Sequence, residues 1–178
     1  MLLIGCTPPE RNIEQHDVFF GIGECTRDLV PQMTSFWPGE NRLHVDAWRT
    51  ITRVSGYNIE VVPKEVGPNS TPIRLFFINL GGYKQNEFEE FHYKMVIAAP
   101  SKAEAISTAK QTAFFRDTGF EGANSHIDDK YGVDVDDVYE IMDILPREAK
   151  EQYRLLVSPV DSTFEDELHL GYFKLSML

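Results

Sequence analysis

With 178 residues, the chain is long enough for one globular domain, or two small ones, with a core that needs no disulfides. The 28 acidic and 17 basic residues give a net charge of −11, which argues against nucleic acid and anionic membranes as partners. Cys6 and Cys25 match no zinc or redox spacing and are predicted to be free thiols. With no signal peptide and no membrane span predicted, we expect a cytoplasmic protein.

The first third of the chain predicts two strands, one helix and two further strands. Thr26 is the expected N-cap of the helix, and Pro38-Gly39 is expected to end it. The four predicted strands are Leu2–Cys6, Asp17–Gly23, Leu43–Val54 and Tyr57–Val62.

Residues 63–72 are rich in Pro, Gly, Asn, Ser and Thr and are predicted to be a linker. The plan then recurs, with a helix that starts at a Ser101–Glu104 capping box and continues to about Arg116. Gly81-Gly82 is expected to open a loop. The strands predicted around these features are Arg74–Leu80, Phe91–Ala99, Ser125–Tyr131 and Val138–Ile144.

The last part of the chain predicts a helical turn at Arg147–Gln152 and two strands, Arg154–Ser158 and His169–Met177. These two strands are expected to form a hairpin. Since an isolated hairpin is marginally stable in water, we expect it to complete the sheet of the preceding segment.

All five histidines recur at only two kinds of position. His92 follows His16 by 76 positions and precedes His169 by 77, whereas His44 and His126 are 82 apart. These shifts predict an internal duplication of a β-β-α-β-β unit with a C-terminal half-repeat. The predicted fold is α+β, with mostly antiparallel sheets and one helix each. The predicted segments are 1–62 (first repeat), 63–72 (linker), 73–145 (second repeat) and 146–178 (a hairpin half-repeat packing on the second copy).

Each histidine has a carboxylate two positions away, in a Glu-x-His or a His-x-Asp pair. In an extended strand, residues two apart point to the same face, so each imidazole would lie beside its carboxylate. If the two pairs of one copy converge, they supply enough ligands for a metal such as zinc or manganese. The candidate metal ligands are Glu14, His16, His44, Asp46, Glu90, His92, His126 and Asp128.

Three interpretations of these pairs stay open at this point: structural hydrogen bonds, a metal or ligand site, and acid–base catalysis. The structural interpretation is favoured because a duplicated gene keeps a fold-supporting device in every copy. Glu167 and His169 have no His-x-Asp partner, so a metal site there would be incomplete. The acidic run that includes Asp134, Asp136 and Asp137 lacks the order of a calcium loop and is interpreted as a solvated hairpin tip.

Two separated motifs resemble an uncharacterised bacterial family, the domain of unknown function numbered 1543. They are Arg11-Asn12-Ile13-Glu14-Gln15-His16-Asp17 followed by Val18-Phe19-Phe20-Gly21, and His44-Val45-Asp46-Ala47-Trp48 followed by Gly56-Tyr57. The resemblance extends to about Leu145 and implies tandem copies, bacterial origin and a small soluble protein. The second copy departs from it, with Tyr93 after its histidine and Asp129-Lys130 in place of Ala47-Trp48. The resemblance implies no activity, cofactor or catalytic residue.

The sequence favours a non-enzymatic binding or interaction module, because it has repeated polar pairs and no catalytic motif. The alternative is a metal-binding protein or a metal-dependent enzyme that uses the repeated pairs. Nothing in the sequence names a cofactor or a substrate. A homodimer is compatible with the sheet edges that such a plan leaves exposed.

Overall fold

The protein is described by a computed structural model that covers residues 1–39, 42–67, 71–83, 86–111, 133–161, 164 and 166–178. Its fold is α+β, with mostly antiparallel sheets and few helices, as the sequence predicts. The strands are β1 (Leu2–Cys6), β2 (Gln15–Phe19), β3 (His44–Trp48), β4 (Arg53–Val54), β5 (Tyr57–Pro63), β6 (Arg74–Tyr83), β7 (Glu90–Ala99), β8 (Val133–Glu140), β9 (Tyr153–Pro159) and β10 (His169–Lys174). The α-helices are α1 (Val30–Phe36), α2 (Lys102–Ala109), α3 (Ile141–Ile144) and α4 (Arg147–Gln152).

The chain divides into two compact units. The first comprises Met1–Pro68, Ile144–Leu156 and Val160–Leu178, and the second comprises Asn69–Asp143 and Val157–Pro159. The first unit contains a four-stranded sheet with the order β10-β3-β1-β2, and the second a three-stranded sheet with the order β7-β6-β8. A further three-stranded sheet has the order β4-β5-β9.

In the first unit, α1 covers one face of the four-stranded sheet. Alternate residues of the strands, including Ile4 and Val45, are fully buried with Met33 of the helix. This alternation leaves the neighbouring residues of the same strands for the opposite face. A short 3₁₀ turn at Thr26–Leu29 precedes α1, and the helix ends just before Pro38-Gly39, where Gly39 has a φ of +86°.

The expected N-cap at Thr26 is wrong by one position, because Cys25 is the residue that precedes the 3₁₀ turn. The backbone N–H groups of Glu24 and Cys25 donate to the Asp28 carboxylate at 3.0 and 3.1 Å. The bond from Cys25 is the main reason that the pKa of Asp28 lies below its ordinary value. The Asp28 carboxylate thus bonds back to the backbone N–H groups that precede the turn, as the acidic residue of a capping box does.

The second unit has the same order of strands around its central strand, with α2 packed on one face. Phe76, Ile78 and Leu80 of β6 form a buried core with Ala105 and Ala109 of the helix. The capping box is confirmed, because the backbone N–H of Glu104 donates to Ser101 Oγ at 3.2 Å.

Gly81-Gly82 does not open a loop. The strand β6 continues to Tyr83 because both glycines pair with β7, opposite His92 and Phe91. The predicted strand Val138–Ile144 is also corrected: β8 ends at Glu140, and Ile141–Ile144 is a helix whose Ile141 is buried. The predicted strand Ser125–Tyr131 lies outside the described residues.

The predicted hairpin of residues 146–178 is wrong, and so is its packing on the second copy. The strand β9 belongs to the sheet with β4 and β5, whereas β10 pairs antiparallel with β3 at the edge of the first unit's sheet. The apolar pattern of β10 predicts a strand that pairs with the edge of a sheet, but it does not predict which edge. The helical turn at Arg147–Gln152 is present as α4.

The predicted single strand Leu43–Val54 is two strands in different sheets. Asp166 causes the break, since its Oδ2 accepts the backbone N–H groups of Thr52 at 2.7 Å and Arg53 at 2.9 Å. Burial would raise the pKa of Asp166, but the Thr52 hydroxyl and these two N–H groups outweigh it and hold that pKa below its ordinary value. The carboxylate thus takes backbone donors that a continuous strand would offer to a neighbouring strand.

Candidate metal centre

Three adjacent strands bring the Glu-x-His and His-x-Asp pairs of the first unit together. Gly5 of β1 lies opposite His16 in the pairing with β2, and opposite His44 in the pairing with β3. Residues opposite one another share a face of the sheet, so both imidazoles stand over Gly5, away from the face that α1 covers. Glu14 comes just before β2 and completes this side of the cluster.

A β-bulge in β3 adds the second carboxylate. Leu3 pairs with Ala47 and Ile4 with Val45, which leaves Asp46 as the extra, unpaired residue of β3. A bulge changes the direction in which a side chain points. The Asp46 carboxylate thereby reaches both histidines.

One ligand atom from each of Glu14, His16 and His44 lies within 4.8 Å of the others, and Asp46 approaches both histidines. His16 Nε2 lies 3.1 Å from Asp46 Oδ2 and 3.4 Å from Glu14 Oε2. His44 Nε2 lies 3.0 Å from Glu14 Oε1 and 3.4 Å from Asp46 Oδ2. The side chain of His44 is only 3% exposed, whereas those of His16 and Glu14 are 37% and 39% exposed. The cluster is therefore buried on the His44 side and open to solvent on the Glu14 side.

These short distances are not hydrogen bonds. Among the described residues, His44 Nε2 and Asp46 Oδ2 are buried without any hydrogen-bond partner. The other ring nitrogen of His44, Nδ1, lies 3.2 Å from the backbone oxygen of Arg42. Since a carbonyl oxygen only accepts, Nδ1 donates to it, and Nε2 is the ring nitrogen that faces the two carboxylates.

Gly5 and Tyr172 border the cluster. A Cβ atom on Gly5 would lie 2.8 Å from both Asp46 Oδ2 and His44 Nε2, and 2.9 Å from His16 Cδ2. The Tyr172 ring of β10 packs on the His44 ring, with centroids 4.3 Å apart. Tyr172 takes this place because β10 has its own irregularity at Gly171, whose φ is +150°.

The second unit has a related but smaller cluster. Gly81 of β6 lies opposite His92 of β7, and His92 Nε2 lies 3.3 Å from Asp136 Oδ2. One ligand atom from each of Glu90, His92 and Asp136 lies within 4.8 Å of the others. A Cβ atom on Gly81 would overlap the Asp136 carboxylate, which therefore rests on the glycine backbone.

The structure thus brings Glu14, His16, His44 and Asp46 together, and Glu90 and His92 together with Asp136. His126 and Asp128 lie outside the described residues. The strand position opposite Gly81 on β8 is Asp134, 90 positions after His44, so the expected shift of 82 does not describe the strand pairing. His169 is outside the first cluster and stacks on Trp48 at a centroid distance of 3.9 Å, with Nε2 4.0 Å from Glu167.

Sequence reasoning missed Gly5, Gly81, Tyr172 and Asp136. Gly5 and Gly81 are 76 positions apart, the same shift that relates His16 to His92, so this signal was present. The Val-Asp dipeptides at 45–46 and 135–136 carry a similar signal at a shift of 90. No sequence pattern indicates that Tyr172 would stand over His44, because that contact depends on which edge β10 joins.

The residues of the first cluster lie in a segment that matches a known family. Residues 11–61 match the model of the Domain of Unknown Function (DUF1543). Over this segment the chain resembles that family. All four side chains of the first cluster belong to it, whereas Gly5 and the strand β1 precede it. The resemblance to this family is confirmed over these residues, while tandem DUF1543 copies and a bacterial origin stay predictions.

The chain also resembles a solved structure in its overall fold. It is the crystal structure of protein Il1583 from Idiomarina loihiensis, with a TM-score of 0.61 and 20% identity, covering 98% of this chain and 94% of that chain. No curated protein matches the chain. Among the described residues, no helix combines the length and the apolar character that a membrane span needs. The predictions about nucleic acid, membranes and a homodimer stay predictions.

Proposed function

We propose that the DUF1543 segment is a non-enzymatic metal-binding module that holds one Zn²⁺ ion between Glu14, His16, His44 and Asp46. The observation that carries this proposal is the buried Nε2 atom of His44, which faces two carboxylates without a hydrogen bond. Buried nitrogen and oxygen atoms this close to one another without a hydrogen bond are unfavourable unless a cation lies between them. The interpretation as structural hydrogen bonds does not account for these atoms.

The spacing of the four side chains fits zinc. Zinc bonds of about 2.0–2.1 Å at tetrahedral angles place neighbouring ligand atoms about 3.3–3.4 Å apart. The four distances between imidazole nitrogens and carboxylate oxygens lie between 3.0 and 3.4 Å. The bond between His44 Nδ1 and the Arg42 carbonyl is the kind of outer contact that orients metal-ligating histidines.

The charges of the cluster also fit a divalent cation. Within the described part of the chain, the ion-pair partners of Glu14 and Asp46 are the two histidines. Two carboxylates and two neutral imidazoles carry a charge of −2, which a divalent ion neutralises. Because four protein ligands complete a tetrahedron, the ion has no vacant position for substrate, which favours a structural or binding role over catalysis.

The metal would connect strands that do not pair with each other. His16 lies on β2 and His44 on β3, and β1 separates these strands. A metal bound over Gly5 would therefore hold β2 and β3 together across the central strand. We place this module in the cytoplasm, a proposal supported by Cys6 and Cys25, which form no disulfide.

We also infer that the two units arose by duplication of a β-β-α-β unit. Support comes from the shared order of strands and from the recurrence of a glycine opposite a histidine at Gly5 and Gly81. The strand β5 of the predicted β-β-α-β-β unit pairs with β4 and β9 and is not part of this shared arrangement.

Metal analysis of the purified protein, together with zinc titration calorimetry, tests the zinc proposal. We expect one equivalent of zinc in the wild-type protein and its loss in His16→Ala and His44→Ala. His16→Ala is the more informative variant because its side chain is partly exposed and its removal leaves the core intact. Removal of an outer partner of a metal site lowers affinity about 10–100-fold, so removal of a ligand should lower it at least as much.

His169→Ala is the matched control, because it removes an imidazole from the same sheet, one that stacks on Trp48 outside the cluster. It should keep the full equivalent of zinc. Equal zinc content in His16→Ala and the wild type would overturn the proposal, as would a protein that binds no divalent metal. Preferential binding of Mn²⁺ or Fe²⁺ over Zn²⁺ would retain the site but reject zinc as its ion.

A further inference from the structure

We infer that β10 pairs antiparallel with β10 of a second copy of the chain, so that two four-stranded sheets join into one. This inference concerns the edge of the first unit's sheet and does not depend on the zinc proposal. It has its own variants and its own measurement, so either can fail without the other.

The open edge of β10 is the first argument. The strand stands at the end of the sheet with the order β10-β3-β1-β2, and among the described residues it pairs with β3 alone. Within that part of the chain, the backbone groups on its other side have no strand partner. An edge of this kind accepts a further strand, and main-chain hydrogen bonds then provide much of the affinity.

A row of exposed apolar side chains runs along this edge. Leu168, Leu170 and Tyr172, spaced two apart, are 57%, 71% and 60% exposed. Tyr172 packs on His44, and Leu170 lies opposite Ala47, so the row is on the face of the sheet that carries the histidine cluster. Burial of this row against an apolar partner would be favourable, because it removes the three side chains from water.

The strand matches itself in the antiparallel direction. Residues directly opposite one another across a ladder lie on the same face, so two copies of β10 can pair only in registers that keep this row on its own side. The register centred on Gly171 meets this condition and includes residues 168–174 of both copies. It places Leu170 opposite Tyr172 of the second copy, and His169 opposite Phe173 of the second copy. A two-fold axis forms each contact twice.

Gly171 allows the two strands to approach at the centre of this register. It has no side chain, its φ is +150°, and a Cβ atom there would lie 3.1 Å from the Phe173 ring. The pairing of β10 with β3 is irregular at this point. Irregularities and edge lysines such as Lys174 discourage indiscriminate strand addition, which favours a partner whose strand has the same irregularity.

The charges at the two ends of the strand select a second copy in the antiparallel direction. Glu167, just before β10, is 81% exposed, and Lys174, at its end, is also exposed. Antiparallel pairing places Lys174 of each copy opposite Leu168 of the other, next to the Glu167 of that other copy. Opposite charges therefore meet at both ends of the pair, whereas a parallel pair would bring like charges together.

We expect this dimer to be weak, because one strand pair makes a small interface. Interfaces below about 1,000 Å² are typical of transient association. Each copy also has a net charge of −11, which opposes association until salt screens it. The dissociation constant should therefore be micromolar, and association should strengthen as the salt concentration rises to about 0.15 M, where the Debye length is about 8 Å.

Sedimentation velocity of the full chain, from low to high micromolar concentration, tests this inference. We expect a monomer–dimer equilibrium in the wild type. Leu170→Asp should weaken it at least about tenfold, since it buries a charge against Tyr172 of the second copy. Val61→Asp is the matched control, because Val61 is also an exposed apolar residue on a strand of the first unit, but in a different sheet. It should dimerise as the wild type does.

Exchange of the two end charges tests the direction of pairing. Glu167→Lys and Lys174→Glu should each weaken the dimer about two- to tenfold, as expected for two exposed ion pairs. The variant that carries both substitutions should restore wild-type association. Because both side chains are exposed, these variants keep the fold and still test the inference if thermal unfolding shows that Leu170→Asp does not fold.

Amide hydrogen exchange locates the interface. Exchange in residues 169–174 should slow as the protein concentration rises through the dissociation constant. A chain that stays monomeric at the highest concentration would overturn the inference. A dimer that Leu170→Asp and Val61→Asp weaken equally, or one that leaves exchange in β10 unchanged, would overturn it as well. Failure of the doubly substituted variant to restore association would reject the antiparallel pairing.

Discussion

Gly5 lies opposite His44 across β1 and β3, and a Cβ atom on Gly5 would come within 2.8 Å of the His44 Nε2 atom. Such a distance is shorter than van der Waals contact, so a side chain at position 5 would require the ligand side chains to shift. The ligands stand on the backbone of the central strand. The positions of these ligands thus depend on Gly5, a residue that has no side-chain atom to bind a metal.

Gly5→Ala should therefore lower zinc affinity without removing any ligand. The new methyl group would displace His44, His16 and Asp46 by a few tenths of an ångström or more, and we expect affinity to fall about 10–100-fold, as for disturbed outer contacts. Gly67→Ala is the control, because nothing lies within 4 Å of a Cβ atom there. Zinc titration calorimetry on both variants measures the difference, and equal affinities would contradict the role of Gly5.

Tyr172→Ala should speed zinc release while leaving the stoichiometry at one. The Tyr172 ring covers His44 at a centroid distance of 4.3 Å and limits the approach of water from that side. Tyr172→Phe keeps the ring and should release zinc at the wild-type rate. Stopped-flow transfer of zinc to a colorimetric chelator measures both rates, and identical rates in all three proteins would show that the ring has no such role.

Asp166→Ala should destabilise the protein by about 1–2 kcal/mol at neutral pH, since it leaves the backbone N–H groups of Thr52 and Arg53 without their acceptor. The pKa of Asp166 is lowered from 3.8 in the folded protein, so the folded state binds fewer protons than the unfolded state. The stabilisation is therefore complete well above pH 3.8 and is lost as the pH falls through the folded pKa.

Urea unfolding of the wild type and Asp166→Ala, measured from neutral to acidic pH, tests this pH dependence. The difference in free energy of unfolding should shrink below pH 3.8. Asp161→Asn is the control, because Asp161 is an exposed carboxylate in the same unit. A difference that stays constant over this pH range would mean that the Asp166 charge does not contribute.

Ser101→Ala should destabilise the second unit by about 1 kcal/mol, the usual effect of removing an N-cap. The Ser101 hydroxyl accepts the backbone N–H of Glu104 at the start of α2, and alanine leaves that donor unsatisfied. Ser101→Asp keeps an acceptor and should retain most of the stability. Amide hydrogen exchange in α2 should accelerate in the alanine variant alone, and unchanged exchange would contradict the cap.

Local patterns in the sequence predict a large part of this fold. The strand Leu2–Cys6, the capping box at Ser101 and the helical turn at Arg147–Gln152 depend on residues close together in the chain, and all three are present. The pairing of β10 with β3 involves residues far apart in the chain, and several exposed edges could have accepted the strand. Asp166 shows the same limit, because its effect on Thr52 comes from a distant segment.

The first cluster was predictable in its residues but not in its geometry. Alternation along a strand places Glu14 beside His16 and His44 beside Asp46, which the distances agree with. Their convergence requires β1 to lie between β2 and β3 and a bulge at Asp46, and neither feature has a local signal. Asp136 was taken as part of a solvated tip for the same reason, since its bulge appears only when β8 pairs with β6.

The pairing of β10 with β3 can form only late in translation. Residues 169–174 emerge from the ribosome long after residues 44–48, with the whole second unit synthesised in between. During that interval one edge of β3 has unpaired backbone groups, to which another chain can add a strand. Until its own β10 has been synthesised, a nascent chain on a polysome can therefore pair its β3 edge with a strand of a neighbouring chain.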